Sequence, residues 1–341
     1  MSQPIVQDVD PLISIVVIGR NEGERLKRCL HSLARMDRNG FRCETVYVDS
    51  GSSDGSLSTA AAMGAETISL QSARPTAAIG RNAGWKVARG EFILFLDGDT
   101  VLNEDFVANA LPEFLSPSIA IIWGHRREIY PGASLYNRVL DLDWIYSPGL
   151  TPFCGGDALF RRSILEATGG FDDSLIAGEE PELCRRVIAQ GGEILHVDHA
   201  MTGHDLNMHN FRQYWKRATR AGHAFAEVSS RYAATPNPFW LAEARGNRIR
   251  AATLVTLPLL ALATSTYSKS ARPLGVLAFM LGLIVIRTAW KARWKTNDRL
   301  ALLLYGVHSH FQQIPILIGQ LQYHLSRYRG TRTALVEYKE S

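Results

Sequence analysis

The chain has 341 residues, enough to bury a complete core, so we expect one catalytic domain of roughly 200 to 250 residues plus an appendage. The formal net charge of +4 is too small an excess to indicate a nucleic-acid partner. Four cysteines without a CxxC pair, and an N-terminus without the basic-then-apolar form of a signal peptide, predict reduced thiols and a cytosolic catalytic face.

The first hundred residues repeat one pattern, in which an apolar run is followed by a polar loop and then by apolar residues at helical spacing. Such units predict an α/β fold with a mostly parallel sheet and right-handed crossovers. The predicted strands are 13–18, 44–48, 66–70 and 92–96, and the predicted helices are 22–34, 57–63 and a third that ends near Arg89.

The segment 91–100, EFILFLDGDT, contains the strand that we expect at the centre of this sheet. Five apolar residues run without alternation into Asp97 and Asp99, which are separated by Gly98. An uninterrupted run is typical of a strand covered on both faces, and ligands of open α/β sheets bind at the carboxyl ends of the strands. The two aspartates can share one hard cation there. A solvated turn is the alternative, because Asp and Gly also favour turns.

The loops after the predicted strands have the chemistry of a nucleotide diphosphate site. Asp49 and Asp54 can accept hydrogen bonds from a base or a ribose, and Arg81 can neutralise phosphate. The GxxxxGK[ST] and GxGxxG patterns are absent, which excludes the P-loop and dinucleotide fingerprints. The predicted substrate-binding residues of these loops are Asn21, Glu22, Asp49, Asp54, Arg81 and Asp97.

Five ordered motifs then carry a resemblance to a known family. They are ISIVVIGRNE, VDSGSSDGS, GRNAGWKVARGEFILFLDGDT, FRRSILEATGGFDDSL and GEEPELCRR, and they extend from about residue 13 to about residue 204. In this order the chain resembles the family 2 glycosyltransferases, which have the GT-A fold. The resemblance implies that Asp49 contacts the nucleotide base, that Asp97 lies beside the donor ribose or sugar, that Asp99 ligates Mg²⁺ or Mn²⁺, and that Arg81 supports the carboxylates or the diphosphate.

The acceptor side of the site is also implied by this resemblance. Gly155 and Gly156 match the small-residue segment beneath the donor sugar, although a glycine turn before a helix explains them as well. Glu180 stands where the family has the Asp of Glu-Asp, the general base, and the change to Glu leaves open whether Glu179 or Glu180 is the base. Acidic residues at a helix start are favoured in any case. His204 completes the metal or diphosphate contacts in some relatives, and a structural role is the alternative.

Beyond this region, residues 209–228 are predicted to form a helix at a membrane surface. Aromatic and cationic residues occupy opposite faces, and a solvated helix packed on the catalytic domain is the alternative. The aromatic face consists of Phe211, Tyr214, Trp215 and Ala218, and the cationic face of Arg212, Lys216, Arg217 and Arg220.

Two uncharged runs follow, at 251–267 and 274–286. They predict a membrane hairpin that either spans the bilayer or re-enters on the same side, and burial in a globular core is the weaker alternative. The basic segment 287–299 indicates the cytoplasmic side by its Lys and Arg content. Residues 301–323 predict an amphipathic interfacial helix that is broken at Pro315.

We therefore predict a flexible start at 1–10, a GT-A domain at 11–245 and a membrane-associated region at 246–341, with a hairpin, a basic loop and an amphipathic C-terminal helix. The predicted activity is inverting, metal-dependent sugar transfer from a nucleotide diphosphate donor, with UDP preferred, to a hydroxyl of a lipid-linked saccharide in cell-surface polysaccharide synthesis. The predicted location is the cytoplasmic face of a bacterial-type inner membrane, in contact with membrane lipids. A homo-oligomer is left open.

Two alternatives to this activity remain at this point. One is transfer to a polyprenyl phosphate, which is already ionised and needs less help from a base than the acid-rich GEEPEL segment provides. The other is a catalytically silent membrane scaffold that binds a nucleotide sugar, against which the intact Asp49, Asp97, Asp99 and Glu180 argue. Processive polymer synthesis is disfavoured, because the Gln-x-x-Arg-Trp motif of processive relatives is absent after Gln213.

Overall fold

A computed structural model describes residues 10–72 and 74–331. The described chain packs as two units. The first comprises the chain up to Arg127 together with Tyr146–Ser174 and Glu179–Asp205, and the second comprises Glu128–Ile145, Leu175–Gly178 and the chain from Leu206 onward. The second unit thus begins well before the limit at residue 245 predicted above, and those domain limits stay a prediction. Nearly all of the predicted flexible start lies outside the described residues.

The first unit is built on a sheet of nine strands in the described part of the chain. The order is β3-β2-β1-β4-β8-β6-β9-β5, and β7 pairs with β9. The strands are β1 Leu12–Gly19, β2 Arg42–Asp49, β3 Glu66–Ser69, β4 Phe92–Asp97, β5 Thr100–Leu102, β6 Ile119–Glu128, β7 Gly149–Leu150, β8 Ala158–Arg161 and β9 Glu193–His204.

Only one half of this sheet is parallel. Strand β1 pairs in parallel with β2 and β4, and β2 with β3, which confirms the predicted strand and helix repeat. Strand β8 is antiparallel to both β4 and β6, and β9 is antiparallel to β5 and β7. The repeat ends at β4, because β5 follows it after only two residues and a parallel crossover needs about a dozen or more.

The helices of the first unit are α1 Glu24–Arg35, α2 Ser56–Ala62, α3 Ala77–Val87, α4 Phe106–Ala110, α6 Arg162–Thr168 and α7 Glu179–Ala189. Helix α3 lies directly on β1, since a Cβ at Gly84 would be 2.2 Å from Val16 Cγ1. This close approach brings the polar residues of α3 to the carboxyl ends of the central strands. The core of the unit consists of the central strands and the apolar faces of the helices that cover them.

The second unit is helical. Its helices are α5 Leu135–Asp141, α8 Phe211–Tyr232, α9 Leu241–Ser268, α10 Arg272–Lys291, α11 Arg299–Phe311 and α12 Gln313–Tyr328. Helices α8 and α12 are in backbone contact through two glycines. A Cβ at Gly222 would be 2.0 Å from Ile316 O, and one at Gly319 would be 1.9 Å from Thr219 O.

This packing changes the interpretation of α8 as a helix on the membrane surface. Tyr214 and Ala218 of its aromatic face are buried, and Tyr214 Oη lies 2.9 Å from His308 Nδ1 of α11. The rings of Phe211 and Trp215 each lie 6.1 Å from that of Phe311. The apolar face of α8 is thus covered in part by helices of the same unit, while Phe211 is 50% exposed.

The predicted break at Pro315 is wrong by three residues. Helix α11 ends at Phe311, and α12 starts at Gln313, so that Pro315 falls in the first turn of α12. A proline is tolerated in a first turn, where its missing N–H has no intrahelical acceptor, so the break must come before it.

Helices α9 and α10 are long and apolar enough to cross a membrane by length and composition. In their most apolar windows only 11% and 6% of the residues are buried within the described chain. Burial in the core of this chain, the weaker alternative above, therefore does not apply to them. Pro258 is accommodated inside α9.

Candidate active site

Three potential metal ligands meet where β4, β5 and β9 come together. Asp97 ends β4, Asp99 precedes β5, and His204 ends β9, where it pairs with Thr100. Their ligand atoms lie within 4.8 Å of one another, and His204 Nε2 is 3.2 Å from Asp99 Oδ2. Two carboxylates and an imidazole fit a divalent cation such as Mn²⁺, and the carboxylates also suit Mg²⁺.

Arg81 joins this cluster to the candidate base. Its side chain is only 2% exposed, with Nη2 3.0 Å from Asp97 Oδ1 and Nη1 2.9 Å from Glu179 Oε1. Nη1 also lies 3.6 Å from Glu180 Oε1. Burial alone would lower the pKa of Arg81, but Asp97, Glu180 and Glu179 raise it above its ordinary value. The guanidinium is therefore a permanent cation among three carboxylates.

The two glutamates differ in environment. The Glu179 side chain is buried, whereas the Glu180 side chain is 24% exposed and lies farther from Arg81. Burial raises the pKa of Glu180 to about 7, the negative charge of Glu179 adds to the effect, and Arg81 opposes it. Glu180 is thus the more reachable carboxylate and has a pKa near neutrality, as a general base requires.

Gly156 occupies the space between these charges. A Cβ there would lie 2.9 Å from Arg81 Nη2 and 3.1 Å from both Asp97 Oδ2 and Glu180 Oε1. A residue without a side chain is therefore sterically required at position 156. Gly155 is less constrained, since the nearest atoms to its Cβ position are 3.9 Å away.

Two charged residues of this site were not among the predicted site residues. Asp157 is buried; its Oδ1 accepts the Asp97 N–H at 3.0 Å, and its Oδ2 accepts the Thr202 hydroxyl at 2.9 Å. Burial raises the pKa of Asp157 to about 6, while Arg126 opposes that shift. Arg126 lies 3.7 Å from both Asp97 and Asp157. The one available signal was Asp157 itself, a carboxylate directly before an apolar strand.

On the predicted nucleotide side, Asp49 is buried at the end of β2. Its Oδ1 accepts from the Tyr47 hydroxyl at 3.1 Å, and its Oδ2 accepts from the N–H groups of Gly51 and Ser52 at 3.0 and 2.8 Å. A carboxylate has about four acceptor positions, so one remains for a donor on a nucleotide base.

The remaining predicted residues shape the two loops beside Asp49. Asn21 has a φ of 53°, and its Oδ1 accepts the Ser53 N–H at 2.8 Å, which ties the loop after β1 to the loop after β2. Asp54 accepts from the N–H and hydroxyl of Ser56 at the start of α2. Glu22 is buried and pairs with Arg25 at 2.9 Å. These contacts are within the protein, and substrate binding by the three residues stays a prediction.

Two family models match the chain. Glycosyl transferase family 2 matches residues 14–169, and Glycosyl transferase family group 2 matches residues 92–291, which is more than half of the chain. The chain belongs to the family 2 glycosyltransferases. The second match continues beyond the sheet into α9 and α10, so the apolar helices fall within a glycosyltransferase family model.

Two glycosyltransferases of other organisms are similar to this chain at low identity. Glycosyltransferase AglE of Haloferax volcanii is 22% identical over 190 residues, which cover 53% of this chain and 62% of AglE. Pre-mycofactocin glycosyltransferase of Mycobacterium tuberculosis is 26% identical over 207 residues, which cover 57% of this chain and 42% of that protein. The chain thus spans less than two thirds of the length of either relative.

A solved structure is similar to this chain over nearly its whole length. It is the mannosyltransferase PcManGT from Pyrobaculum calidifontis in complex with GDP-Man and Mn²⁺, with a TM-score of 0.65 at 19% identity. The similarity covers 92% of this chain and 90% of PcManGT. It confirms the GT-A fold that the motifs predicted.

Proposed function

We propose that this protein is an inverting, metal-dependent glycosyltransferase. It moves a sugar from a nucleotide diphosphate donor, with a UDP-sugar as the preferred candidate, to a hydroxyl of a lipid-linked saccharide in the synthesis of a cell-surface polysaccharide. It acts at the cytoplasmic face of a bacterial-type inner membrane. The family supports sugar transfer, and the residue roles below are part of the proposal.

One observation carries the mechanism, namely the buried guanidinium of Arg81 that contacts both the metal-site carboxylate Asp97 and the two glutamates. The reaction breaks a sugar–phosphate bond beside the metal-site carboxylate and deprotonates a hydroxyl beside the glutamates. The metal site and the base must therefore be held at a fixed separation. Arg81 provides that constraint, because it is ion-paired with both sides and has almost no exposed surface.

The donor side of the reaction belongs to Asp97, Asp99, His204 and Asp49. The first three would hold a divalent cation, whose chemistry is to stabilise the negative charge of the departing diphosphate. Asp49 would accept a hydrogen bond from the nucleotide base with its remaining acceptor position. Asn21, Glu22 and Asp54 hold the loops that surround this position.

The acceptor side belongs to Glu180. Its carboxylate removes the proton from the acceptor hydroxyl while the acceptor oxygen bonds to the anomeric carbon of the sugar. The bond from that carbon to the diphosphate oxygen breaks at the same time, so that the configuration inverts and the nucleoside diphosphate departs. Gly156 leaves the space beside Glu180 open for the reacting groups, and Glu179 keeps Arg81 in place.

The membrane part of the proposal rests on α9 and α10, two exposed apolar helices that match the length of a bilayer span. An enzyme held at the membrane meets acceptors that are themselves held there. This argument favours a lipid-linked saccharide over a soluble one.

The test is to incubate membranes that contain the full-length protein with a panel of radiolabelled nucleotide sugars, including UDP-sugars and GDP-mannose. We expect one label to enter the lipid fraction. Glu180→Gln membranes should transfer it at least about 10²-fold more slowly, and EDTA-treated membranes should not transfer it. Transfer to added polyprenyl phosphate in preference to endogenous saccharide would select the alternative acceptor. Donor binding without transfer or hydrolysis of any donor would indicate the silent scaffold.

A further inference from the structure

The two apolar helices carry a marked excess of positive charge at one end. Between Glu243 and Asp298 the sequence has no acidic residue. Six exposed cations lie in the first turns of α9 and around the last turns of α10, whereas two, Lys269 and Arg272, lie at the connection between the helices. The six residues are Arg245, Arg248, Arg250, Arg287, Lys291 and Arg293, and we call them the basic collar.

The members of the basic collar lie at the same end of the hairpin. Only three residues separate α9 from α10, so the helices must run in opposite directions. His310 of α11 links the two: its Nε2 is 3.0 Å from Thr288 Oγ1 of α10, and Arg250 of α9 is close enough to contribute to lowering its pKa, which burial lowers most. The start of α9 and the end of α10 are therefore neighbours in space.

Aromatic residues accompany the basic collar. Trp290 and Trp294 are 62% and 56% exposed, and the Arg293 guanidinium lies 4.0 Å from the centre of the Trp290 ring. The side chains one to two turns earlier in α10 are exposed and apolar, including Leu283 and Ile286. After this apolar stretch the two tryptophans are interleaved with cations of the basic collar, and both residue types are typical of the headgroup level of a bilayer surface.

We propose that the basic collar binds the headgroups of anionic phospholipids. The inference rests on the membrane attachment in the proposed function and adds the class of lipid at the attachment. Six exposed cations without an acidic residue among them complement a layer of phosphate groups that carry net negative charge, and a zwitterionic layer offers no such complement. Trp290 and Trp294 supply the apolar contact at the same depth.

The test uses purified full-length protein reconstituted in vesicles of phosphatidylcholine and phosphatidylglycerol, in which one lipid or the other carries brominated acyl chains. Quenching of tryptophan fluorescence by each brominated lipid gives their relative affinity for the protein. We expect phosphatidylglycerol to be preferred by the wild type. The triple variant Arg287→Gln, Lys291→Gln, Arg293→Gln should lose about tenfold in this preference, since each cation near an anionic surface contributes up to about fivefold.

Two controls separate charge at this end of the hairpin from charge in general. Lys269→Gln with Arg272→Gln should keep the preference within about twofold, because these cations lie at the other end of the helices. Raising the salt concentration to about 0.5 M should weaken the wild-type preference, because exposed charges are then screened over a few ångströms. If the triple and the double variant lose the preference for phosphatidylglycerol equally, the proposal is contradicted.

The outcome also separates this inference from the membrane attachment itself. If the protein remains with the vesicles after a carbonate wash but binds both lipids equally, headgroup binding by the basic collar is contradicted, whereas membrane attachment is supported. Protein that leaves the vesicles in that wash overturns both.

Discussion

Arginine occurs in two opposite environments in this protein, and the difference separates the candidate active site from the proposed attachment surface. In the first unit Arg81 is buried and has three carboxylates within 3.6 Å. In the second unit the arginines of the basic collar are exposed, and the sequence has no acidic residue between Glu243 and Asp298. A buried charge must be paired because its desolvation is costly, whereas an exposed one remains available for an external anion.

The comparison predicts large, local effects at the first site and graded, additive ones at the second. Removing one group from a buried network leaves its partners uncompensated, while each exposed cation acts almost independently.

The largest effect is expected at Asp99. Asp99→Asn removes one of the two anionic ligands of the candidate metal site while it preserves the size of the side chain, so transfer should fall by more than about 10³-fold. Transfer rates measured across a range of Mn²⁺ concentrations check this. Normal activity of the variant in EDTA would rule out a metal role for Asp97 and Asp99.

Glu180→Gln keeps shape but removes basicity, so turnover at saturating donor should fall by about 10²- to 10⁴-fold while donor affinity is nearly unchanged. Glu179→Gln is the matched control, because both glutamates lie at the start of α7 and both contact Arg81. Its effect should be milder. If Glu179→Gln is the inactive variant and Glu180→Gln is active, the base has been placed one residue too far along the chain.

Gly156→Ala should lower turnover by roughly 10- to 100-fold. The added methyl group displaces Arg81, Asp97 or Glu180 by several tenths of an ångström, and catalysis depends on their positions. Gly155→Ala has no neighbour closer than 3.9 Å and should be nearly silent. Steady-state kinetics of the two variants in parallel test the difference, and equal effects would show that the position is not sterically limiting.

The rate should also depend on the ionisation of Glu180. Its pKa is raised to about 7, and the base acts only when ionised, so kcat/KM should fall about tenfold for each pH unit below 7 and level off above it. A pH–rate profile of the wild type tests this. The profile of Glu180→Gln should lack that limb, and an unchanged limb would assign it to another group.

The smallest effect is expected at Gly178, which precedes the two glutamates in sequence. Its φ is +85°, and a Cβ would lie 3.3 Å from Ala224, Val228 and Trp240. Gly178→Ala should lower turnover several-fold, because crowding adds to the backbone strain of about 1 to 2 kcal/mol. Gly191→Ala has a φ of +83° without a neighbour within 4 Å, so it controls for strain alone. Equal turnover of the two variants would show that crowding at Gly178 is harmless.

The sequence predicted the parts of this structure that carry a local pattern. The apolar run into Asp97 and Asp99 identified the central strand and two of the three candidate metal ligands, and the strand and helix repeat identified the parallel half of the sheet. His204 came from the family resemblance, because it reaches Asp99 only through the pairing of β5 with β9. No periodicity in either strand specifies such a pairing.

Other features depend on contacts between distant segments and left no local signal. Arg126 lies near the end of β6, and its two carboxylate partners are 29 and 31 residues away in sequence. Tyr214 was assigned to a membrane surface because its helix is amphipathic, and an amphipathic helix does not specify what covers its apolar face. Only the position of His308 decides that the partner is α11.

The contact between Tyr214 and His308 also has a consequence for the order of events during synthesis. The two residues are 94 positions apart. At about 5 to 20 residues per second, a ribosome makes the second roughly 5 to 20 s after the first. Helices α9 and α10 are made within that interval, so both apolar helices are complete before the apolar face of α8 can acquire its partners on α11 and α12.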